Sequence, residues 1–317
     1  MIAIFTHSKD LTADLVIRHL LARGVEYLRI DGDRLGTLEC YLGYSTESEL
    51  VIGPRVVHAS EVSAVWARRF TLPETLKAVP TEHVDFVKRE TSAVLHAFIE
   101  SISADRQINP FSADHAAGNR LLQARRARMA GFSVPATLAT QDPVIARHFL
   151  SAHPTAITKA ISFGRISSDP YPERVAYTSR VSLQTDLSGL AICPSLFQEN
   201  IRKRYEWRVT TVGERVFAAR LDPADLFGEI DWRRSQQSAT AFIAAELPRL
   251  ITEKLLTLCA SSGLVFGAHD LIETPDGDFV FLETNPAGQW GWLELNAGLP
   301  IGDAIASELI SRSRGTA

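Results

Sequence analysis

Three oxygen-bearing side chains near the C-terminus have the spacing most suggestive of chemistry: Asp270, Glu283 and Asn285. They lie in Gly263–Trp290, where two apolar, β-prone runs flank Asp276-Gly277, a dipeptide suited to a two-residue type I′ hairpin turn. That turn predicts a register in which Pro275 faces Asp278, Glu273 faces Val280 and Asp270 faces Glu283. Opposed side chains share a face with Cβ atoms about 4.5–5.5 Å apart, so two carboxylates placed this way repel unless something positive sits between them. Asn285, two residues on, joins the same face. Two acids and an amide make an all-oxygen ligand set that suits Mg²⁺ completed by substrate phosphates. The competing reading is a solvated hairpin face with ordinary surface acids. The neighbours Phe266, Phe279 and Phe281 argue against a fully wet face.

Candidate cations lie upstream. Lys159 is one of only six lysines and sits in an apolar strand, Thr155–Ile161, that runs into Ser162-Phe163-Gly164-Arg165. A buried lysine needs an anion partner, and a Gly-containing turn can drape over phosphates. The wet face of an edge strand is the alternative. Arg208–Val212 and Arg215–Leu221 read as strands joined at Gly213-Glu214. A register that pairs Gly213 with Arg215 sets Arg208 opposite Arg220, and two facing guanidinium groups call for an anion such as phosphate or carboxylate. Plain surface charge competes with that reading. Arg68-Arg69 reads as a solvated strand end rather than an anion site, and His7 as an ordinary loop histidine. The chain has no Walker-type GxxxxGK[ST], no kinase HRD or DFG set and no nucleophilic triad, which excludes a P-loop ATPase and a protein kinase.

The elements that must hold these residues follow from the pattern. Met1–Phe5, a helix over Thr12–Arg23 stopped by Gly24, and a strand over Val25–Ile30 predict a small open α/β domain. Glu39–Tyr44 and Glu49–Ile52 read as antiparallel strands and Ala64–Arg68 as another. Pro80–Ile102 is a helix with Val84, Val87, Val94, Phe98 and Ile102 on one apolar stripe. Ile108-Asn109-Pro110-Phe111 reads as a linker, because the residue before proline leaves the helical region. Asp114–Ala130 is expected as one helix whose arginines, including Arg120, form a solvated basic side. Arg174–Leu183 is a further strand. Pro248 and Pro300 open the last two helices, the second with Ile301, Ile305 and Leu309 inward. Ala287–Trp292 reads as a flexible aromatic loop able to cover a site.

The 317 residues are 45% hydrophobic, enough for two or three domains with real cores. A net charge of −4 argues against nucleic acid and anionic membranes as partners. Cys40, Cys193 and Cys259 are odd in number and lack metal spacing, so they read as buried reduced thiols of a cytoplasmic protein. MIAIFTHSKD lacks the basic n-region of a signal peptide, and no apolar run approaches the roughly 18 residues of a membrane helix.

At Phe266–Asp270 and Phe281–Pro286 the chain resembles the ATP-grasp superfamily, and within it most closely the microviridin-type, or graspetide, peptide ligases. Met1–Leu35, Val65–Phe70, Gly131–Thr140, Phe197–Arg220, Asp231–Arg233 and the Gly-Gln-Trp run after Asn285 extend that resemblance over nearly the whole chain. It implies an α/β (α+β) fold of two lobes clasping ATP behind an open α/β pre-ATP-grasp domain. The expected divisions are an N-terminal domain over 1–110, a central lobe over 111–190 and a C-terminal lobe over 191–317. Asp270, Glu283 and Asn285 would bind Mg²⁺. Lys159 would contact ATP phosphates or adenine. Gln198, Glu199 and Ile201 would form the adenine-reading hinge, partly through backbone, with Glu206 near the ribose and Lys203 among the cofactor-binding residues. Arg208, Arg220 and Arg233 would serve the transferred phosphoryl group and acyl phosphate. Arg120 stands where relatives carry a phosphate-contacting lysine. Gly288–Trp292 and the Ser162–Arg165 turn would be lids.

The implied activity is an ADP-forming ligase of ribosomal peptide biosynthesis. It would activate Asp or Glu side chains of a precursor, recognised through leader and core, and join them to Ser, Thr or Lys as ester or amide macrocycles. The resemblance also suggests a homodimer. Two other functions fit the same residues: a ligase acting on free amino acids or adding glutamate to a protein tail, and a nucleotide-binding module without catalysis.

Overall fold

A computed structural model describes residues 1–34, 38–41, 47–73, 79–162, 165–168, 171–222, 224 and 238–315. Period-2 alternation in the first strand, Ile2–Thr6, sends side chains into two cores. Ile2 and Ile4 enter an apolar cluster with the helices Leu11–Ala22 and Ile301–Ser313, whereas Ala3 and Phe5 meet Leu95, Phe98 and Ile99 of the helix Thr81–Glu100. The strand sits inside a four-stranded parallel sheet in the order Tyr27–Asp31, Ile2–Thr6, Ala64–Ala67, Gln107–Ile108. A separate antiparallel sheet joins Leu38–Tyr41, Glu49–Ile52 and Arg55–His58.

The middle of the chain builds an antiparallel sheet in the order Ser179–Arg180, Ile157–Lys159, Ser195–Gln198, Thr137–Thr140. Its apolar side packs with Ala146 and Leu150 of the helix Pro143–Ala152. The last sheet is antiparallel throughout: Ile243–Ala244, Arg215–Leu221, Tyr205–Val212, Phe266–Glu273, Phe279–Asn285. One face, with Trp207, Val209, Leu271 and Phe281, packs on the helix Arg249–Ser261 and Phe132. On the other face Val212, Phe266, Ala268 and Leu221 join the cluster that contains Ile2 and Leu309, so the first and last sheets share a core. Among the described residues no helix is long and apolar enough to cross a membrane.

Several expectations need correction. The helix expected over Asp114–Ala130 is two, Phe111–Ala117 and Arg120–Met129. Asn119 breaks it by capping the second: its side-chain oxygen accepts from the backbone N–H of Leu121 and Leu122 at 3.1 and 3.2 Å. The strand expected over Arg174–Leu183 is Tyr171–Val175 followed by the two-residue Ser179–Arg180. In the helix Thr81–Glu100 the buried positions are Leu95, Phe98 and Ile99, while Val94 is exposed. The stretch expected as a linker is clamped instead. Ile108 ends an edge strand, and buried Asn109 accepts from the N–H of Val265 and Phe266 at 2.8 and 2.7 Å and donates to the carbonyls of Phe266 and Pro286 at 2.9 and 3.1 Å. Of the cysteines, Cys259 is buried but Cys193 is exposed; the side chain of Cys40 lies outside the described residues.

Candidate functional site

The acid hairpin forms, by a different route from the one expected. Thr274 N–H donates to the Asp278 carbonyl at 2.8 Å and Gly277 N–H to the Thr274 carbonyl at 2.9 Å, so the loop is three residues, Pro275-Asp276-Gly277, with Gly277 at φ +87. Glu273 therefore faces Phe279, not Val280, and Pro275 does not pair with Asp278. A register shift between Asp270 and Leu271 then restores the expected pair: Leu271 faces Phe281 while Asp270 faces Glu283. The bulged residue is Leu282, and its insertion turns Phe281 to the core face while Glu283 and Asn285 face the opposite way.

Three cations converge on the two acids. Arg208, 8% exposed, faces Asp270 across the sheet and forms an ion pair with it. Arg120 Nε donates to Glu283 Oε2 at 2.9 Å, and Lys159 Nζ lies 3.9 Å from the same oxygen. Arg120 also donates through Nη1 to the carbonyls of Ala160 and Ser162 at 2.5 and 2.6 Å. It thereby ties the end of the Lys159 strand to the acid hairpin and is no solvated side chain. Burial works to raise the Glu283 pKa, but Lys159, Arg120 and Arg208 overcome it and hold the carboxyl at about 2. Asn285 Oδ1 accepts from the Ala287 N–H at 3.1 Å, an Asx turn that sets its amide.

Under the site, buried polar groups fix the strands. His269 alternates with Asp270 and faces inward, where its Nδ1 meets Thr284 Oγ1 at 2.8 Å and its Nε2 meets Thr211 Oγ1 at 3.1 Å. Burial, reinforced by the nearby Arg208 charge, pushes its pKa down to about 3 and keeps the ring neutral. Gln123 covers the hairpin's outer edge: it accepts from Thr284 N–H at 3.0 Å and donates to the Thr284 carbonyl at 2.6 Å. Sequence reasoning missed both residues, although the position of His269 beside Asp270 already required it to point the other way.

Arg220 does not join this group. Gly213-Glu214 is a two-residue turn with Val212 facing Arg215, so Arg220 faces Trp207 and Arg208 faces Ala219. The one-residue offset puts the two arginines on opposite faces. Arg220 instead lies over the rings of Tyr205 and Trp207, at 4.4 and 6.0 Å. Arg233, with Asp231 and Trp232, and Phe163-Gly164 of the expected phosphate turn lie outside the described residues.

The hinge candidates follow the last strand of the middle sheet. Buried Gln198 donates to Thr137 Oγ1 at 3.0 Å, so its side chain is committed inside. Glu199 pairs with Ala136 through backbone at 2.9 Å, and its carboxylate accepts from Ala136 N–H at 3.3 Å. Ile201 is half-buried, and half-buried Lys203 is ion-paired with Glu206, which shares the Arg208 face.

The loop expected as a flexible lid is a fixed wall. Trp290 is fully buried, Gly291 starts a helix, Gly291–Ala297, and the backbone at Gly288 presses on the sheet. A Cβ at Gly288 would sit 2.5 Å from Ala268 Cβ and 3.2 Å from the Asn285 carbonyl oxygen. Neither neighbour can swing aside. Gly288→Ala is expected to cost about 1–3 kcal/mol through overpacking, read as a lower midpoint in urea unfolding. Arg68 also departs from expectation. It is 1% exposed, paired with Asp10 at 3.0 Å, and donates to this loop, rather than forming a solvated strand end. Burial, with a contribution from neighbouring Arg69, pushes its pKa down to about 10, against the pull of Asp10.

Comparison with known proteins adds to this geometry. Residues 1–115 match the family model described as the MvdD pre-ATP grasp domain. The structure is similar to macrocyclase MdnC from Microcystis aeruginosa MRC, solved bound with precursor peptide MdnA, at 32% identity and TM-score 0.86 over 98% of this chain and 99% of that one. It is similar to a Chryseobacterium gregarium RiPP-associated ATP-grasp ligase, solved with ADP and a leader and core peptide, at 27% identity and TM-score 0.87 over 98% and 96%. Macrocyclase MdnB from Microcystis aeruginosa MRC matches at 31% identity and TM-score 0.80 over 98% of both chains. No curated protein matches the chain.

Proposed function

This chain belongs to the graspetide-type ATP-grasp ligases, and on that premise we propose that Asp270, Glu283, Asn285, Arg208, Arg120 and Lys159 form its ATP-dependent macrocyclisation site. The observation that carries the reading is the convergence of three cations on two opposed acids and an amide. Three positive charges against two negative leave the group with a surplus of one, which favours an anion over bulk water.

The donor set fits Mg²⁺. Asp270, Glu283 and Asn285 offer only oxygen ligands that suit it, and they are too few to complete an octahedron without phosphate oxygens or water. Bound there, Mg²⁺ would supply neutralisation of triphosphate charge. Arg208, Arg120 and Lys159, which now neutralise the acids, would then be released to the phosphates. That exchange keeps each side chain paired in both states. Arg208 is the guanidinium best placed for the transferred phosphoryl group, being buried and facing Asp270. Arg220 is not proposed for this role.

The reaction needs positioning and charge more than a protein nucleophile. A peptide Asp or Glu carboxylate attacks the γ-phosphorus, the bond to the bridging oxygen breaks, and ADP leaves. A Ser or Thr hydroxyl, or a Lys amine, then attacks the acyl carbon, and phosphate departs with the bonding pair. The product is a side-chain ester or amide, one water lighter per bond. Glu199 and Ile201 are proposed to read adenine through the hinge backbone, with Lys203 and Glu206 beside the ribose. The divisions 1–110, 111–190 and 191–317 are proposed as the pre-ATP-grasp domain and the two lobes. The cytoplasm, where ATP is supplied and the exposed Cys193 would stay reduced, is the proposed compartment.

The test is co-expression with a short precursor whose C-terminal half is rich in Thr, Ser, Asp and Glu. Mass spectrometry should show loss of one water per ring bond, and ADP release should require the peptide. ADP release driven by free amino acids with an unchanged peptide mass would overturn the macrocyclase reading in favour of a free-acid ligase.

A further inference from the structure

We propose that Arg68 of the N-terminal sheet is a positioning residue for the metal-ligand segment, acting through Gly288 and Gln289 on Asn285 and Arg208. The inference rests on the reading of Asp270, Glu283 and Asn285 as metal donors. All three guanidinium nitrogens of Arg68 are engaged. Nε donates to Asp10 Oδ2 at 3.0 Å, Nη1 to the Gly288 carbonyl at 2.9 Å, and Nη2 to Gln289 Oε1 at 2.7 Å. Gln289 Oε1 also accepts from Thr12 Oγ1 at 2.8 Å. The loop is thus held by two residues, Arg68 just past the strand Ala64–Ala67 and Thr12 of the helix Leu11–Ala22.

The other side of that loop is pinned by Asn109, which donates to the Pro286 carbonyl at 3.1 Å. Between the two clamps the loop folds back on Asn285, whose carbonyl accepts from Gly288 N–H at 3.2 Å and whose side chain accepts from Ala287 N–H at 3.1 Å. Its continuation reaches Arg208, whose Nη2 lies 3.5 Å from the Gln289 carbonyl. Displacing Gly288 and Gln289 would therefore move a metal donor and loosen the arginine paired with Asp270. Burying a guanidinium–carboxylate pair carries a large desolvation cost, so its placement on this loop calls for a reason beyond sheet closure. Residues that orient metal ligands typically change metal affinity by about 10–100-fold when removed.

The test uses the full-length enzyme with ADP present and Mn²⁺ as the probe, free Mn²⁺ being read by electron paramagnetic resonance. Gln289→Leu deletes the acceptor of Arg68 and Thr12 and leaves the Arg68–Asp10 pair in place. It should weaken Mn²⁺ binding roughly tenfold and, by leaving the Arg68 Nη2–H without its acceptor, lower the thermal midpoint while the protein stays folded at the assay temperature. Gln289→Glu keeps an acceptor oxygen at the same reach and should hold Mn²⁺ closer to the parent than Gln289→Leu does. Glu283→Gln serves as the reference that removes a donor outright. Parent-like Mn²⁺ binding in Gln289→Leu, with binding lost in Glu283→Gln, overturns the positioning role alone. An equal loss in Gln289→Leu and Gln289→Glu also overturns it, since the acceptor would then be irrelevant. Parent-like binding in Glu283→Gln removes the metal reading and this inference with it.

Discussion

Glu283→Gln should give a folded protein that no longer removes water from a precursor peptide. The substitution preserves shape while replacing a bidentate anion by a neutral amide with one oxygen. Asp270 then faces no second carboxylate, and the proposed Mg²⁺ site loses one of its two carboxylate donors. A drop of roughly 10²–10³-fold in turnover is expected from removing one preorganised electrostatic partner of the transition state. Stability should also change, in a pH-dependent way. Glu283 has a folded pKa of about 2 against a usual value of 4.5. A depressed carboxyl contributes stability that is present above about pH 4.5 and is lost as pH falls through about 2. The parent should therefore be more stable than Glu283→Gln at neutral pH, and the gap should close in that acidic window. Chemical denaturation of both proteins across pH 2–7 measures it. Parent-like macrocyclisation by Glu283→Gln would remove the metal assignment.

The elements that carry the site were legible in the sequence because they depend on local signals. Apolar, β-prone runs on either side of Asp276-Gly277 marked Phe266–Glu273 and Phe279–Asn285, and Pro248 and Pro300 marked helix starts. The facing of Asp270 and Glu283 was expected and is observed, yet for a reason the sequence did not disclose. A three-residue loop shifts the register by one, and the Leu282 bulge shifts it back. The Arg208–Arg220 expectation met the same one-residue hazard with no compensating bulge, and Arg220 fell on the wrong face. Period-2 structure turns a slip of one into a change of side, so pair assignments inherit every error in turn length.

What stayed hidden was long-range. Arg68 meets residues some 220 positions later, Asn109 meets Val265 and Pro286, and Gln123 meets Thr284. No local pattern encodes these partners. An arginine at the end of an apolar strand reads as solvated unless the buried acid at Asp10 is known to sit beneath it. The loop after Asn285 likewise reads as mobile from its glycines, although the close approach of Gly288 to Ala268 is what those glycines permit.

Arg68→Met should then be the substitution most costly to the fold. It leaves Asp10, 2% exposed, as a buried carboxylate without its cation, a change that typically costs about 3–5 kcal/mol. Asp10 also caps the helix Leu11–Ala22, accepting from Thr12 N–H at 3.1 Å, and it accepts from Thr6 Oγ1 at 2.9 Å. Asn at position 10 keeps one oxygen to accept from the Thr12 N–H and places an NH2 that can donate to Thr6 Oγ1, both without charge, so Asp10→Asn/Arg68→Met should recover much of the loss. The pH dependence separates this account from simple lost packing. In the parent, burial pushes the Asp10 pKa up, but Arg68 and Thr6 hold it below the usual value, so its contribution is lost as pH falls through the acid range. Without Arg68 the largest influence opposing burial is gone, Thr6 and His7 remaining, and the folded pKa is expected to rise. Arg68→Met should therefore recover stability relative to the parent as pH is lowered from 7 toward 4, and the double variant should not. Urea titrations at several pH values measure both trends. A pH-independent loss, or a double variant no more stable than the single one, would mean that the methionine fails for its shape and not for the charge it leaves behind.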